Sequence, residues 1–218
     1  AAIDGLGENA ALIRYGIGFE NIDVAAASAR NVPVGYVPDY CPNEVADHTC
    51  AAMLTLLRKL SPLDASVRRG DWTAVAVATP LKAFSDTLIG FFGFGQIGRG
   101  VHARLKVFGF QFAVADPALS SEDAAALGLQ KMSPEELFQK ADAVSLHAPA
   151  TRETTHFVNA ERLSTMQPHA VIVNSARGAL IEEAALAAAL NSGQIAGAAL
   201  DVFEEEPLSA SSVLRDAP

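Results

Sequence analysis

The stretch LIGFFGFGQIGRGVHARLKVFGF, residues 88 to 110, decides the fold. Its first five residues are apolar enough for a buried strand, and Gly93, Gly95 and Gly98 follow at once as G-x-G-x-x-G. Directly after them the apolar spacing changes to that of a helix, which is the context in which this glycine pattern acts as a dinucleotide-binding fingerprint. Gly93 permits the tight turn, Gly95 lets backbone approach a pyrophosphate, and Gly98 lets helix and strand pack closely. The helix start adds amides and a partial positive charge. The next apolar run, FQFAVADP, closes on Asp116, 18 positions after Gly98 and 23 after Gly93. A carboxylate near that spacing accepts hydrogen bonds from ribose hydroxyls and repels a 2′-phosphate, so NAD is the expected cofactor rather than NADP.

Outward from this stretch, strands and helices alternate. Strands are expected at 88–92, 110–115, 129–132, 143–147, 170–174 and 196–202. Helices are expected between them at 96–108, 121–127, 134–140, 159–165 and 182–192. Strands separated by helices of that length imply a parallel sheet with helices on both faces, an α/β, Rossmann-like doubly wound architecture. Upstream, NEVADHTCAAMLTLLRKL reads as a linking helix with Asn43 as its N-cap, and 61–86 reads as an irregular connection. The first 42 residues hold two short strands, Ala10–Arg14 and Val32–Val37, and a small helix, Val24–Arg30. They form a first region, with 43–218 expected to form the nucleotide domain.

Composition narrows the partners. Half the 218 residues are hydrophobic and 19% are charged, a balance able to bury a core. The formal net charge is −9 and no long basic run occurs, so neither nucleic acid nor an anionic membrane surface is an expected partner. No apolar run reaches the roughly 18 residues of a membrane span. Cys41 and Cys50, the only two cysteines, form neither a disulfide framework nor a metal-ligand pattern, and a reducing cytoplasmic setting is expected.

Three strands run from apolar core into polar chemistry: SLHAPAT with His147, NSARG with Arg177, and DVFEEE from Asp201. Open α/β sheets bind ligands at the carboxyl ends of their strands, so this convergence marks a candidate site. With RYGIGFENID (14–23), EVADHT (44–49), GFFGFGQIG (90–98), LHAPAT (146–151), NSARGALI (174–181) and ALDVFEEEPL (199–208), the sequence resembles the D-isomer-specific 2-hydroxyacid dehydrogenases. VPDYCPNEVADHT further resembles the subgroup with C-terminal-binding-protein-like members, alongside phosphoglycerate dehydrogenase-like ones.

The resemblance implies hydride transfer between NAD(H) and a D-2-hydroxy or 2-keto acid. Arg177 would hold the substrate carboxylate and the reacting oxygen. Glu206 would hydrogen-bond a histidine and raise its pKa, and backbone amides of Ile17 and Gly18 would bind the same carboxylate. Thr49, Gln96, Ile97, His147, Ser175 and Ala176 would line the nucleotide, and Asp201 would lie near the nicotinamide carboxamide. Residues 1–42 would be the remnant of a second, flavodoxin-like substrate domain, and no metal is implied. A homodimer is, with 47–72 in the pairing region. The family's acid/base histidine follows the glutamate in a T-P-H-like segment, which is expected beyond Pro218. His48, His102, His147, His156 and His169 do not match it. A different class of reading is a module that senses NAD(H) without efficient catalysis. An NAD-dependent hydrolase is a third, and it leaves Arg177, Asp201 and Glu206 unexplained.

Overall fold

The computed structural model describes residues 3–7, 9–19 and 21–218, so Glu20 of the RYGIGFENID stretch lies outside them. The chain divides into two compact units, one ending at Glu44 and one spanning Val45–Pro218.

In the first unit, β1 (Leu12–Arg14) and β2 (Val34–Tyr36) pair in parallel, with α1 (Val24–Ala29) between them in the chain. Asp23 caps α1 by accepting from the Ala26 amide at 2.9 Å. Arg14 Nε donates to the Gly18 carbonyl at 3.1 Å and the Val37 amide to the Gly16 carbonyl at 3.3 Å, which fixes the loop after β1.

A long helix, α2 (Pro42–Leu57), leads into the second unit. It begins at Pro42, so Asn43 lies in the first turn and is not the N-cap; proline suits the first helical position, where its missing N–H has no intrahelical acceptor anyway. Residues 61–86 are more ordered than an irregular connection. Lys59 takes a left-handed conformation, φ 51°, which ends α2 and starts α3 (Leu60–Arg68), followed by α4 (Ala74–Ala78). Pro62 conceals this second helix in the sequence, yet in a first turn it interrupts no hydrogen bond. Ser66 and Thr73 join the two helices through their hydroxyls at 3.0 Å, and Lys59 Nζ reaches the Val77 and Thr79 carbonyls at the end of α4.

The six-stranded sheet contains β3 (Leu88–Phe92), β4 (Gln111–Ala115), β5 (Gln130–Lys131), β6 (Ala143–Leu146), β7 (Val171–Asn174) and β8 (Gly197–Leu200). Its order is β5-β4-β3-β6-β7-β8, and every pairing is parallel. Between the strands come α5 (Gln96–Leu105), α6 (Ser121–Ala126), α7 (Pro134–Lys140), α8 (Ala160–Ser164) and α9 (Glu183–Ser192). The expected doubly wound sheet is therefore present. Helix 96–108 is shorter than expected because a 3₁₀ turn, Lys106–Phe108, replaces its end. Strands 143–147 and 196–202 also stop early, leaving His147 and Asp201 just past their carboxyl ends.

Alternation along the strands divides the core in two. Ile89, Phe91, Val114 and Val173 pack with Ala46 and Met53 of α2, Val101 and Leu105 of α5, and Ala124 of α6. Phe92, Ala113, Val144, Leu146 and Ile172 face the other way, against Leu137 and Phe138 of α7, Leu163 of α8, and Leu186 and Leu190 of α9. The period of two along each strand gives a parallel sheet two apolar faces, and each face has its own helical layer.

The amino end of the sheet is held by one buried carboxylate. Asp142 accepts from Lys82 Nζ at 2.8 Å, the Leu88 amide at 2.7 Å and His169 Nε2. Burial pushes the Asp142 carboxyl up, but these donors outweigh it and hold its pKa below the ordinary carboxylate range. A carboxyl whose pKa is depressed by folding stabilises the fold above the ordinary carboxylate range, and that contribution is lost as pH falls through the depressed value. Asp142→Ala is expected to cost about 2 kcal/mol at neutral pH. Urea unfolding should show the gap between wild type and variant narrowing below about pH 4, and a gap independent of pH would contradict this account.

Candidate functional site

The carboxyl ends of the strands form the edge at which the chemistry collects. At its centre is the switch point between β3 and β6, from which the strand order runs outward in both directions. The chain leaves β3 at Gly93 with φ 87°, a left-handed turn. A Cβ on Gly93 would lie 2.6 Å from the Ala148 nitrogen and 2.7 Å from the His147 carbonyl carbon. Gly93 therefore has two reasons to be glycine, its conformation and the backbone after β6. Its amide donates to the Ala115 carbonyl at 3.0 Å and the His147 amide to the Phe92 carbonyl at 2.8 Å, so the turn is tied to both neighbouring strands.

Gly95 is different. It is the N-cap of α5, makes no side-chain cap, and a Cβ there would meet nothing within 4 Å. The space in front of the helix start is open, and the amides of Gln96, Ile97 and Gly98 have no acceptor inside the helix. Open space, glycine backbone and a helix N-terminus together suit a diphosphate. Gly98 makes the looser of the approaches; a Cβ would come within 3.2 Å of the Gly93 carbonyl oxygen and 3.4 Å of the His147 ring.

Asp116 follows β4 beside this loop. Its carboxylate accepts from the Phe94 amide at 2.6 Å and the Ala118 amide at 2.8 Å. It thus fixes the glycine loop while each oxygen retains a second lone pair for a ribose hydroxyl. His147 Nε2 lies 2.8 Å from the Ser145 hydroxyl, and its buried Nδ1 has no partner among the described residues. Burial lowers the His147 pKa to about 4, so the ring is neutral near pH 7. An unsatisfied buried nitrogen at this edge is the kind of group a bound nucleotide satisfies.

The polar residues of α2 and β7 meet nearby. Thr49 Oγ1 donates to the Val45 carbonyl at 2.8 Å, which leaves the Ser175 hydroxyl to donate to Thr49 across 2.6 Å. Thr49 is fully buried and Ser175 nearly so. One residue earlier on α2, His48 Nε2 lies 3.9 Å from Asp201 Oδ1, while the Asp201 amide donates to the Asn174 carbonyl at 2.9 Å.

Arg177 lies three residues past β7 and is half-buried. The buried Asn174 shapes its loop: Asn174 Nδ2 donates to the Arg177 carbonyl at 2.9 Å, and Asn174 Oδ1 accepts from the Ala176 amide at 3.1 Å. Arg177 Nη1 itself donates to the Ala176 carbonyl at 2.6 Å. Glu206 lies on the loop after β8, exposed, accepting from the Phe203 amide at 3.0 Å. These two loops touch backbone to backbone, since a Cβ on Gly178 would fall 1.9 Å from the Phe203 carbonyl carbon.

The second unit thus brings Gly93, Gly95, Gln96, Ile97, Gly98, Asp116, His147, Ser175, Ala176, Arg177, Asp201 and Glu206 to the carboxyl edge of one sheet. Ile17 and Gly18 belong to the first unit, in the loop after β1. Asn174, His156 and Glu204 are the residues that sequence reasoning assigned no part. Asn174 carried one signal, an amide closing an otherwise apolar strand. No group of three or more His, Cys, Asp or Glu residues able to hold a metal occurs among the described residues.

Residues 50–218 match the family model described as D-isomer specific 2-hydroxyacid dehydrogenase, NAD binding domain. A glyoxylate reductase of Pyrococcus furiosus is 39% identical over 209 residues, covering 92% of this chain and 62% of that protein. A D-3-phosphoglycerate dehydrogenase of Methanocaldococcus jannaschii is 40% identical over 195 residues, covering 89% of this chain and 37% of its own length. The structure of D-lactate dehydrogenase from Aquifex aeolicus, complexed with NAD and lactic acid, superposes with a TM-score of 0.83 at 31% identity, over 90% of this chain and 58% of that one. The chain thus spans less than two thirds of the length of each of these relatives.

The two glycines of the loop should fail differently. Gly95→Val is expected to leave thermal unfolding nearly unchanged and to weaken NADH binding at least about tenfold, read by nucleotide fluorescence. Gly93→Ala should destabilise the fold itself by about 2 kcal/mol, from its conformation and the Ala148 contact. Equal stability of Gly93→Ala and wild type would refute the assignment of that turn.

Proposed function

This chain belongs to the D-isomer-specific 2-hydroxyacid dehydrogenase family and carries its NAD-binding domain, and from that premise we propose that the whole protein is an NAD-dependent oxidoreductase of 2-hydroxy and 2-keto acids. The observation that carries the reading is the pairing of Arg177 and Glu206 on loops that touch at Gly178 and Phe203, at the edge shared with the glycine loop. Bound NAD would supply hydride chemistry at C4 of its nicotinamide.

The roles of the chain's own residues follow from their chemistry. The planar guanidinium of Arg177 holds a carboxylate by two parallel hydrogen bonds, or a carboxylate and the adjacent oxygen together. As that oxygen gains negative charge, the fixed cation stabilises it. Glu206 acts on the proton, accepting from an imidazole N–H and thereby favouring the protonated ring. His147 is excluded from that part, because its buried ring is neutral far above its pKa of about 4. The amides of Ile17 and Gly18, in the first unit, enter the proposal only as donors to a carboxylate. Thr49, Gln96, Ile97, Asp116, His147, Ser175, Ala176 and Asp201 form the nucleotide side of the site.

The same reading includes a homodimer in a reducing, cytoplasmic setting. Supporting the dimer, Trp72 is 89% exposed and Val75 81%, with Leu60 and Val67 also open on α3 and the segment after it. Apolar side chains exposed on neighbouring elements would suit an interaction face. Cys41 and Cys50 are free thiols. No helix among the described residues is long and apolar enough to cross a membrane. The division into a substrate domain up to residue 42 and a nucleotide domain from residue 43 belongs to the proposal as well.

The test is turnover by the full-length protein with NADH and a panel of 2-keto acids that includes glyoxylate, and with NAD and D-3-phosphoglycerate or D-lactate. Oxidation of NADH by at least one acid is expected, and Arg177→Lys should lower kcat/KM for it by about a hundredfold or more. Tight NADH binding without turnover of any panel member would overturn the enzyme reading and favour a nucleotide-sensing module.

A further inference from the structure

Glu204 sits in the run of three glutamates after β8, and its contacts are unlike those of a solvated charge. Its Oε2 accepts from the Glu183 amide at 3.4 Å, and its own amide donates to Glu183 Oε1 at 2.8 Å. Glu183 is the first residue of α9, whose N-cap, Glu182, makes no side-chain cap, so Glu204 supplies the missing acceptor from another loop. The remaining oxygen, Oε1, meets Nε2 of His156.

His156 is itself held in an uncommon conformation. Its φ is 51°, in the left-handed region that a histidine seldom adopts. Its amide donates to the Ala179 carbonyl at 2.8 Å, and the following Val158 amide donates to the Leu180 carbonyl at 3.0 Å. The segment bearing His156 is thereby laid along the segment that follows Arg177. From there the ring crosses to Glu204, whose neighbour Phe203 touches Gly178 on one side and donates to Glu206 on the other. Strained residues that persist are held by their surroundings, and they gather where geometry matters.

We infer that His156, Glu204 and Glu183 form a clasp that positions the Glu206 loop against the Arg177 loop, making them positioning residues for the acid/base step. The inference rests on the roles proposed above for Arg177 and Glu206. None of the three clasp residues touches the reacting atoms. They act by fixing where the Glu206 carboxylate stands, and misplacement of such a group by about 1 Å lowers turnover steeply.

The experiment uses the full-length protein and four variants. His156→Asn tolerates the left-handed backbone but is too short to reach Glu204, Glu204→Ala removes the acceptor, Glu204→Gln keeps an acceptor of the same shape, and the double variant combines His156→Asn with Glu204→Ala. Hydrogen exchange at the Phe203 and Glu204 amides should quicken in both single clasp-breaking variants. The kcat should fall by about tenfold or more with NADH affinity within about twofold, and Glu204→Gln should recover most of the loss. The double variant should lose no more than the worse single one, because one device is broken once. Unchanged exchange at those amides, or additive losses in the double variant, would overturn the clasp. If wild-type protein turns over no acid, the oxidoreductase reading fails while the exchange result still judges the clasp on its own.

Discussion

The second unit depends on one close approach, that of Gly93 to the backbone of His147 and Ala148. A parallel sheet delivers all its carboxyl ends to one edge, but that edge becomes a site only where neighbouring crossovers diverge and leave a crevice. Here the divergence lies between β3 and β6, and there the chain turns left-handed with no room for a side chain. The turn sets the start of α5, places Asp116 where it can hold the Phe94 amide, and brings the His147 ring beside Gly98. The features read above as nucleotide-binding are consequences of that backbone contact.

A second close approach organises the other half of the edge. Gly178 and Phe203 meet main chain to main chain, so Arg177 and Glu206 are set by backbone more than by long, mobile side-chain contacts. Asn174 shapes one loop from beneath and Glu204 holds the other from outside. Both supports are polar groups whose partners are mainly amides and carbonyls. Such bonds carry direction as well as energy, and orientation is what a charged group at a reacting centre requires.

How much of this could be read from the sequence follows from the range of each interaction. The sheet, its order of helices and the glycine loop were legible because hydrophobic period and turn glycines are local signals. Residues 61–86 were misread because Pro62 is a helix breaker in most positions and the left-handed Lys59 that precedes α3 leaves no compositional mark. The edge residues Arg177, Asp201 and Glu206 stood out as polar groups directly after apolar strands, and their motifs resemble those of a known family. His156 and Glu204 gave no such signal. They are 48 positions apart, and their partnership exists only once the segment after β6 is brought beside the loop after β8.

The neutral, buried imidazole of His147 sets the charge beside the glycine loop. With a pKa of about 4 it takes up no proton anywhere in the physiological range. Near neutral pH the glycine loop, the helix start and this ring therefore present a ligand with an environment whose charge does not change. Beside the amides of the helix start, such a ring offers a ligand hydrogen bonding without a second, switchable positive charge.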